Sequence, residues 1–192
     1  MYEESKKDSF KIVKGKNPIL LSAPHVYPHI RPNFEDTPKK NELYTKEIVQ
    51  TIAMKLDVSA IYTTSKQHSD PNWYIESPYR KGIFDLIEEN DIKIFIDIHG
   101  LNIDNTEDII IFVNKLDISG NQIAQKLKNE LMNYFKEVPV KEFINNEQFT
   151  ISEHIFDKYR IPSLQLELNL RLRRDKDNWG KLASSFSNVF NI

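Results

Sequence analysis

The sequence predicts an α/β fold, a three-layer sandwich in which a mixed, largely parallel sheet is flanked by helices. Three observations predict it. Short runs rich in β-branched and aromatic residues alternate almost throughout with segments of helical period. Strands separated by helices of this size pair through crossovers rather than tight hairpins. A length of 192 residues, 40% of them hydrophobic, suits one domain with a substantial core, and residues 1–192 are read as one domain.

The elements follow in order. Residues 10–13 and 19–22 read as an opening pair of strands. Residues 41–56 read as a helix, with Ile48, Ile52 and Leu56 on one stripe. Residues 58–63 are a short strand. Ser77 before Pro78 is an N-cap followed by proline at the first helical position, and Tyr79, Ile83, Leu86 and Ile87 continue at helical spacing. Residues 92–98 are the strongest strand, and 108–113 another. Residues 119–135 form a helix with Ile123, Leu127, Leu131 and Tyr134 in register, and 138–143 a short strand. Thr150 and Glu153 have capping-box spacing. Residues 163–170 are a strand, and Trp179, Leu182, Phe186 and Phe190 mark an amphipathic C-terminal helix.

Composition narrows the functions. With 26 basic and 28 acidic side chains the net charge is -2, which argues against nucleic acid or an anionic membrane as the main partner. The absence of cysteine excludes disulfides, a thiol nucleophile and thiolate metal sites. Five glycines leave little room for a dinucleotide-binding fingerprint. No run of about 18 apolar residues suggests a membrane span. The polar, lysine-rich residues 1–16 have no apolar signal-peptide core, so a cytoplasmic location is expected. Any metal must be held by carboxylates and some of the five histidines.

In folds of this kind ligands bind beyond the carboxyl ends of the strands. Residues 19–22 run into Ala23-Pro24-His25, and the strand at 92–98 runs into His99-Gly100. Two histidines on rigid strand ends are what a metal site needs. Alternation places Asp97 on the same face as His99, where it can support that ring. Gly100 is expected to turn the chain directly after His99. In the late strand Leu164, Leu166, Leu168 and Leu170 alternate with Gln165, Glu167, Asn169 and Arg171. This pattern fits either a half-exposed antiparallel edge strand or a polar face turned into a site, with Glu167 as general base and Arg171 nearby. His29 and Arg31 follow His25 closely and are candidates for substrate contact. The aromatic segment 70–80 contributes Asn72 and, at a helix start, Arg80 as a fork for a substrate carboxylate. His68 and His154 read as structural.

Taken together, Leu-Ser-Ala-Pro-His25-Val-Tyr-Pro-His29-Ile-Arg31, Asn41-Glu42-Leu-Tyr-Thr45, Phe-Ile-Asp97-Ile-His99-Gly and Leu-Gln-Leu-Glu167-Leu-Asn169 resemble the N-formylglutamate amidohydrolase family. That family is similar in fold to the zinc carboxypeptidases. The resemblance covers about residues 18–171. It implies one zinc ion per chain, held by two histidines and a carboxylate, with a glutamate acting as general base. His25 and His99 match the histidine positions and Glu167 the base. The carboxypeptidases carry His-x-x-Glu, whereas Pro28 stands three residues after His25 here. Glu42 is therefore taken as the carboxylate, with Glu35 and Asp36 as alternatives. The expected activity is hydrolysis of an amide in a small, carboxylate-bearing or peptide-like substrate. Arg31 would stabilise the oxyanion, and Arg80, Asn72, His29 and Arg171 would bind substrate. A metal- or ligand-binding module without catalysis, and a metal-free hydrolase using His99 and Asp97, are the other readings.

Overall fold

A computed structural model of the chain describes residues 9–31, 39–143 and 149–192. Its centre is a seven-stranded sheet of β1 (Phe10–Val13), β2 (Asn17–Ala23), β3 (Val58–Thr63), β4 (Ile94–Leu101), β5 (Ile109–Val113), β6 (Val140–Glu142) and β7 (Ser163–Asn169), in the spatial order β1-β3-β2-β4-β7-β5-β6. The pairs β3·β2, β2·β4, β4·β7 and β5·β6 are parallel, and β1·β3 and β5·β7 are antiparallel. The sheet is thus mixed rather than largely parallel. The first two strands are not a pair either. β3 lies between them, because β2 is apolar on both faces and takes a central place, while the half-solvated β1 closes the edge.

Helices α1 (Thr45–Leu56), α3 (Ile118–Leu131) and α6 (Lys176–Phe190) cover one face, where Ile48, Ile52, Leu127, Leu131, Leu182 and Phe186 pack on Leu21, Ile96, Ile98 and Leu166. Helices α2 (Pro78–Glu89) and α4 (Ile151–Tyr159) cover the other, with Tyr79, Ile83, Ile151 and Ile155 against Leu20, Ile61 and Phe95. Each such fully buried aliphatic side chain contributes roughly 1.5–3 kcal/mol of transfer free energy, an upper-end figure for the unfolded reference. The three expected layers are present. Among the described residues no helix is long and apolar enough to cross a membrane.

Three local departures bear on function. First, α1 begins at Thr45 rather than at residue 41, because Tyr44 sits in a left-handed conformation at φ 71° and leaves Glu42 in a turn ahead of the helix. Second, β4 runs on to Leu101, and Gly100 pairs with Leu168 without a positive φ, so it makes no turn. Third, β7 is no edge strand. It lies between β4 and β5, and its polar residues Gln165 and Asn169 are buried.

Candidate metal centre and its cavity

The carboxyl ends of β2, β4 and β7 lie side by side because these neighbours run parallel. Ser22 pairs with Asp97, and His99 pairs with Glu167. His25, just beyond β2, is therefore carried next to His99, with ring centroids 4.8 Å apart. Glu42 reaches them from its turn, where its N–H donates to the His25 carbonyl at 2.8 Å and its own carbonyl accepts from Thr45 Oγ1 at 2.8 Å. Glu42 Oε1 lies 2.9 Å from His25 Nδ1, and Oε2 lies 3.5 Å from His99 Nδ1. The Gly100 N–H donates to the same Oε2 at 2.9 Å.

Both imidazoles are oriented from behind. His25 Nε2 is 2.7 Å from Asp70 Oδ1, and His99 Nε2 is 2.9 Å from Asp97 Oδ2. In the neutral rings a carboxylate at Nε2 would hold the proton there and free Nδ1, on the Glu42 side, to ligate an ion. One ligand atom from each of His25, Glu42 and His99 falls within a 4.8 Å cluster. Two neutral imidazole nitrogens and a carboxylate are a donor set suited to zinc, so these residues fit the implied ion. His25, His29 and Asp70 form a second group of the same tightness. It suits a cation poorly, because Asp70 already accepts from Arg31 Nε, from His25 and from the Asn72 N–H. Glu35 and Asp36 lie outside the described residues.

The electrostatics are those of a site that holds protons in place of a cation. Burial pulls His25 down, but the Asp70 and Glu42 carboxylates outweigh it and push it up to about 9. His99 is raised well above its ordinary value in the same way, against burial, by Asp97 and Glu42. Burial opposes the ionisation of Glu42 and Asp70, yet the histidines hold both well below the usual carboxylate range. Burial and the neighbouring His25 lower His29 to about 4. The sign follows for the chelator-treated protein. The raised His25 contributes stability below about pH 6.5 that is lost as pH rises through about 9, and the raised His99 adds a contribution that is likewise lost on the alkaline side, whereas the depressed His29 loses its contribution as pH falls from 6.5 toward 4. Stability of the stripped protein is expected to peak near pH 6.5 and its melting temperature to fall by several degrees by pH 9. Zinc affinity is expected to rise over the same interval, with release of up to two protons per ion. A stripped protein whose melting temperature stayed level from pH 6.5 to 9 would contradict these couplings.

A cavity of about 320 Å³ opens onto these ligands, lined also by Glu167, Gln165, Arg31, Asn72 and the Phe112–Phe143 ring pair. Glu167 accepts from Gln165 Nε2 at 2.9 Å, and burial raises its carboxyl despite the nearby His99 charge. Asn72 lines the cavity while its Oδ1 caps α4 at the Ile151 N–H, 2.8 Å away. Arg31 lines it with its Nε on Asp70.

Three expected substrate contacts are placed elsewhere. Arg80 has no exposed surface, and its guanidinium donates to the carbonyls of Pro71, Phe149 and Thr150 and lies 3.0 Å from His154 Nδ1. Arg171 is turned outward onto Asp108 and the carbonyls of Asn105 and Thr106. His29 stacks behind His25, 3.9 Å between centroids and 12° between planes, and faces another cavity. Each guanidinium is taken up by carbonyl or carboxylate partners instead. Asp70 was missed as a supporting group, since an Asp-Pro-Asn sequence also signals an ordinary turn. Gln165 had a visible signal in the alternation of β7.

No protein-family model and no curated protein matches the chain. The fold is nevertheless similar to solved structures. One is a gene product of Agrobacterium tumefaciens, with TM-score 0.73 and 10% identity, covering 99% of this chain and 95% of that one. Another is a metallo-carboxypeptidase from Burkholderia cenocepacia, with TM-score 0.62 and 11% identity, covering 98% of this chain and 66% of that one. A third is a bacteriophage poly-gamma-glutamate hydrolase, with TM-score 0.59 and 13% identity, covering 99% and 91%. The chain thus has the metallo-carboxypeptidase type of fold.

Proposed function

We propose that this chain is a zinc-dependent hydrolase of amide bonds, acting on an N-acyl amino acid or a short peptide-like substrate. The carrying observation is the convergence of His25, Glu42 and His99 beside Glu167 in one cavity. The fold likeness to a metallo-carboxypeptidase and a poly-gamma-glutamate hydrolase supports it. A bound divalent ion would supply Lewis acidity toward a carbonyl oxygen and would acidify water. Glu167 takes the proton of the attacking water and passes it to the leaving nitrogen. Its raised carboxyl suits both transfers. Gln165 holds Glu167 in place, and Arg31 offers charge to the oxyanion or to a substrate carboxylate. Arg31 is the one lysine or arginine among the described residues lining the cavity. The Phe112–Phe143 pair suits an apolar side chain, so a substrate with one carboxylate and an apolar group fits better than N-formylglutamate, which has two carboxylates.

The test is metal analysis together with an activity screen over N-formyl, N-acetyl and dipeptide substrates. One zinc per chain, chelator-sensitive turnover, and loss of zinc in Glu42→Ala are the expected results. A zinc-loaded chain with no turnover across that range would favour a binding module, and a chain without stoichiometric zinc would sink the reading.

A further inference from the structure

Glu42 lies 17 positions after His25, so chain proximity does not hold the two together as it would in a His-x-x-Glu pair. Arg173, the last residue of the short helix α5 (Leu170–Arg173), occupies the place where such support is needed. It is 4% exposed. Its Nε donates to the Leu168 carbonyl at 2.8 Å, its Nη2 to the Leu101 carbonyl at 3.0 Å, and its Nη1 to the Leu43 carbonyl. Those carbonyls belong to the residue after Glu167, to the second residue after His99 and to the residue after Glu42. One planar fork therefore ties together the segments that carry two proposed ligands and the proposed base. Gly100 makes room for it, since a Cβ there would stand 2.7 Å from Arg173 Cζ and Nη2. The missing side chain at residue 100 serves this passage, not a turn.

We propose that Arg173 is a positioning residue for the metal centre, which sets the approach of Glu42 to His25 and His99 through the backbone of Leu43. This rests on the metal reading given above. Arg173 lines a neighbouring cavity, which shares Glu42 and Arg31 with the one that holds Glu167, and does not line the latter, so it acts through Glu42 rather than on substrate. Lysine is a point donor without the fork and reproduces only part of the set.

The deciding measurement is zinc affinity, by competition with a chromophoric chelator, for wild type, Arg173→Met, Arg173→Lys and Gly100→Ala. The absorption spectrum of each Co²⁺-substituted form is recorded alongside. Leu127→Ala, in the buried face of α3, is the control for a loss of stability remote from the site. Arg173→Met and Gly100→Ala are expected to bind zinc at least tenfold more weakly. Arg173→Lys should fall between them and wild type, and the Co²⁺ spectra should change as Glu42 leaves its place. Leu127→Ala should melt earlier with zinc affinity unchanged. If Arg173→Met does not fold, Arg173→Lys and Gly100→Ala decide. Affinities within twofold of wild type and unchanged spectra in those variants overturn the role of Arg173 and leave the metal site standing. A wild-type chain that takes up no zinc overturns the metal reading and this one with it.

Discussion

Glu167→Gln is expected to lower turnover by about 10²–10⁴-fold while zinc content stays at the wild-type level. The reasoning starts from the register of the sheet. Glu167 faces His99 across the β4·β7 ladder, so its side chain is fixed on a strand and points into the cavity from a rigid base. Glutamine has nearly the same shape, and its Oε1 still accepts from Gln165 Nε2. What is lost is the ability to take a proton. Because burial raises the Glu167 carboxyl, the acidic limb of the wild-type pH–rate profile should stand above that of an ordinary glutamate. Steady-state kinetics with metal analysis of the same preparation check both statements. Turnover within tenfold of wild type would remove Glu167 from the role of base.

The parts of this site that were legible in the sequence are those that local patterns determine. His25 and His99 stand out because a strand's apolar run ends on them, and Glu167 because leucines alternate with polar residues across β7. Glu42 is different. Only the family resemblance pointed to it, since its place depends on a turn that begins α1 four residues later than periodicity suggests. Asp70 was passed over for a similar reason, because its partners His25 and Arg31 are 45 and 39 positions away. The arginines were misread most. A guanidinium carries five donors in a fixed fork, and which acceptors it meets is settled by tertiary packing. Arg171, Arg173 and Arg80 all ended on backbone carbonyls, and Arg173, whose partners Leu43, Leu101 and Leu168 lie close in sequence to Glu42, His99 and Glu167, was not among the expected contacts. The strand order and the antiparallel place of β5 also escaped a local reading. Strand order depends on which faces the helices cover, and antiparallel β5 entering beside β7 leaves no mark in either strand's own composition.

Arg80→Met offers the sharpest separation between a substrate clamp and a structural tie. Arg80 is buried, with Ser77 capping its own N–H at 3.2 Å and its guanidinium joining the loop at Pro71 to the segment at Phe149 and Thr150. Burial pulls its guanidinium down to about 10 against the raising influence of Asp97 and Asp70, so it stays charged at neutral pH. Methionine fills much of the same space and donates nothing. The Pro71 and Phe149 carbonyls lose this donor, at about 1–3 kcal/mol each, while the Thr150 carbonyl keeps the His154 N–H, so the total loss is on the order of 2–6 kcal/mol. For a chain of this length that corresponds to a melting temperature lowered by roughly 10 °C. The effect reaches the site indirectly. The loop carrying Pro71 also carries Asp70, which orients His25, and Asn72, which caps α4. Turnover should therefore fall along with stability. A clamp would behave otherwise, with KM rising for carboxylate-bearing substrates, melting unchanged, and an uncharged analogue of the substrate cleaved equally well by both proteins. Thermal unfolding and a KM comparison on that substrate pair distinguish the two outcomes.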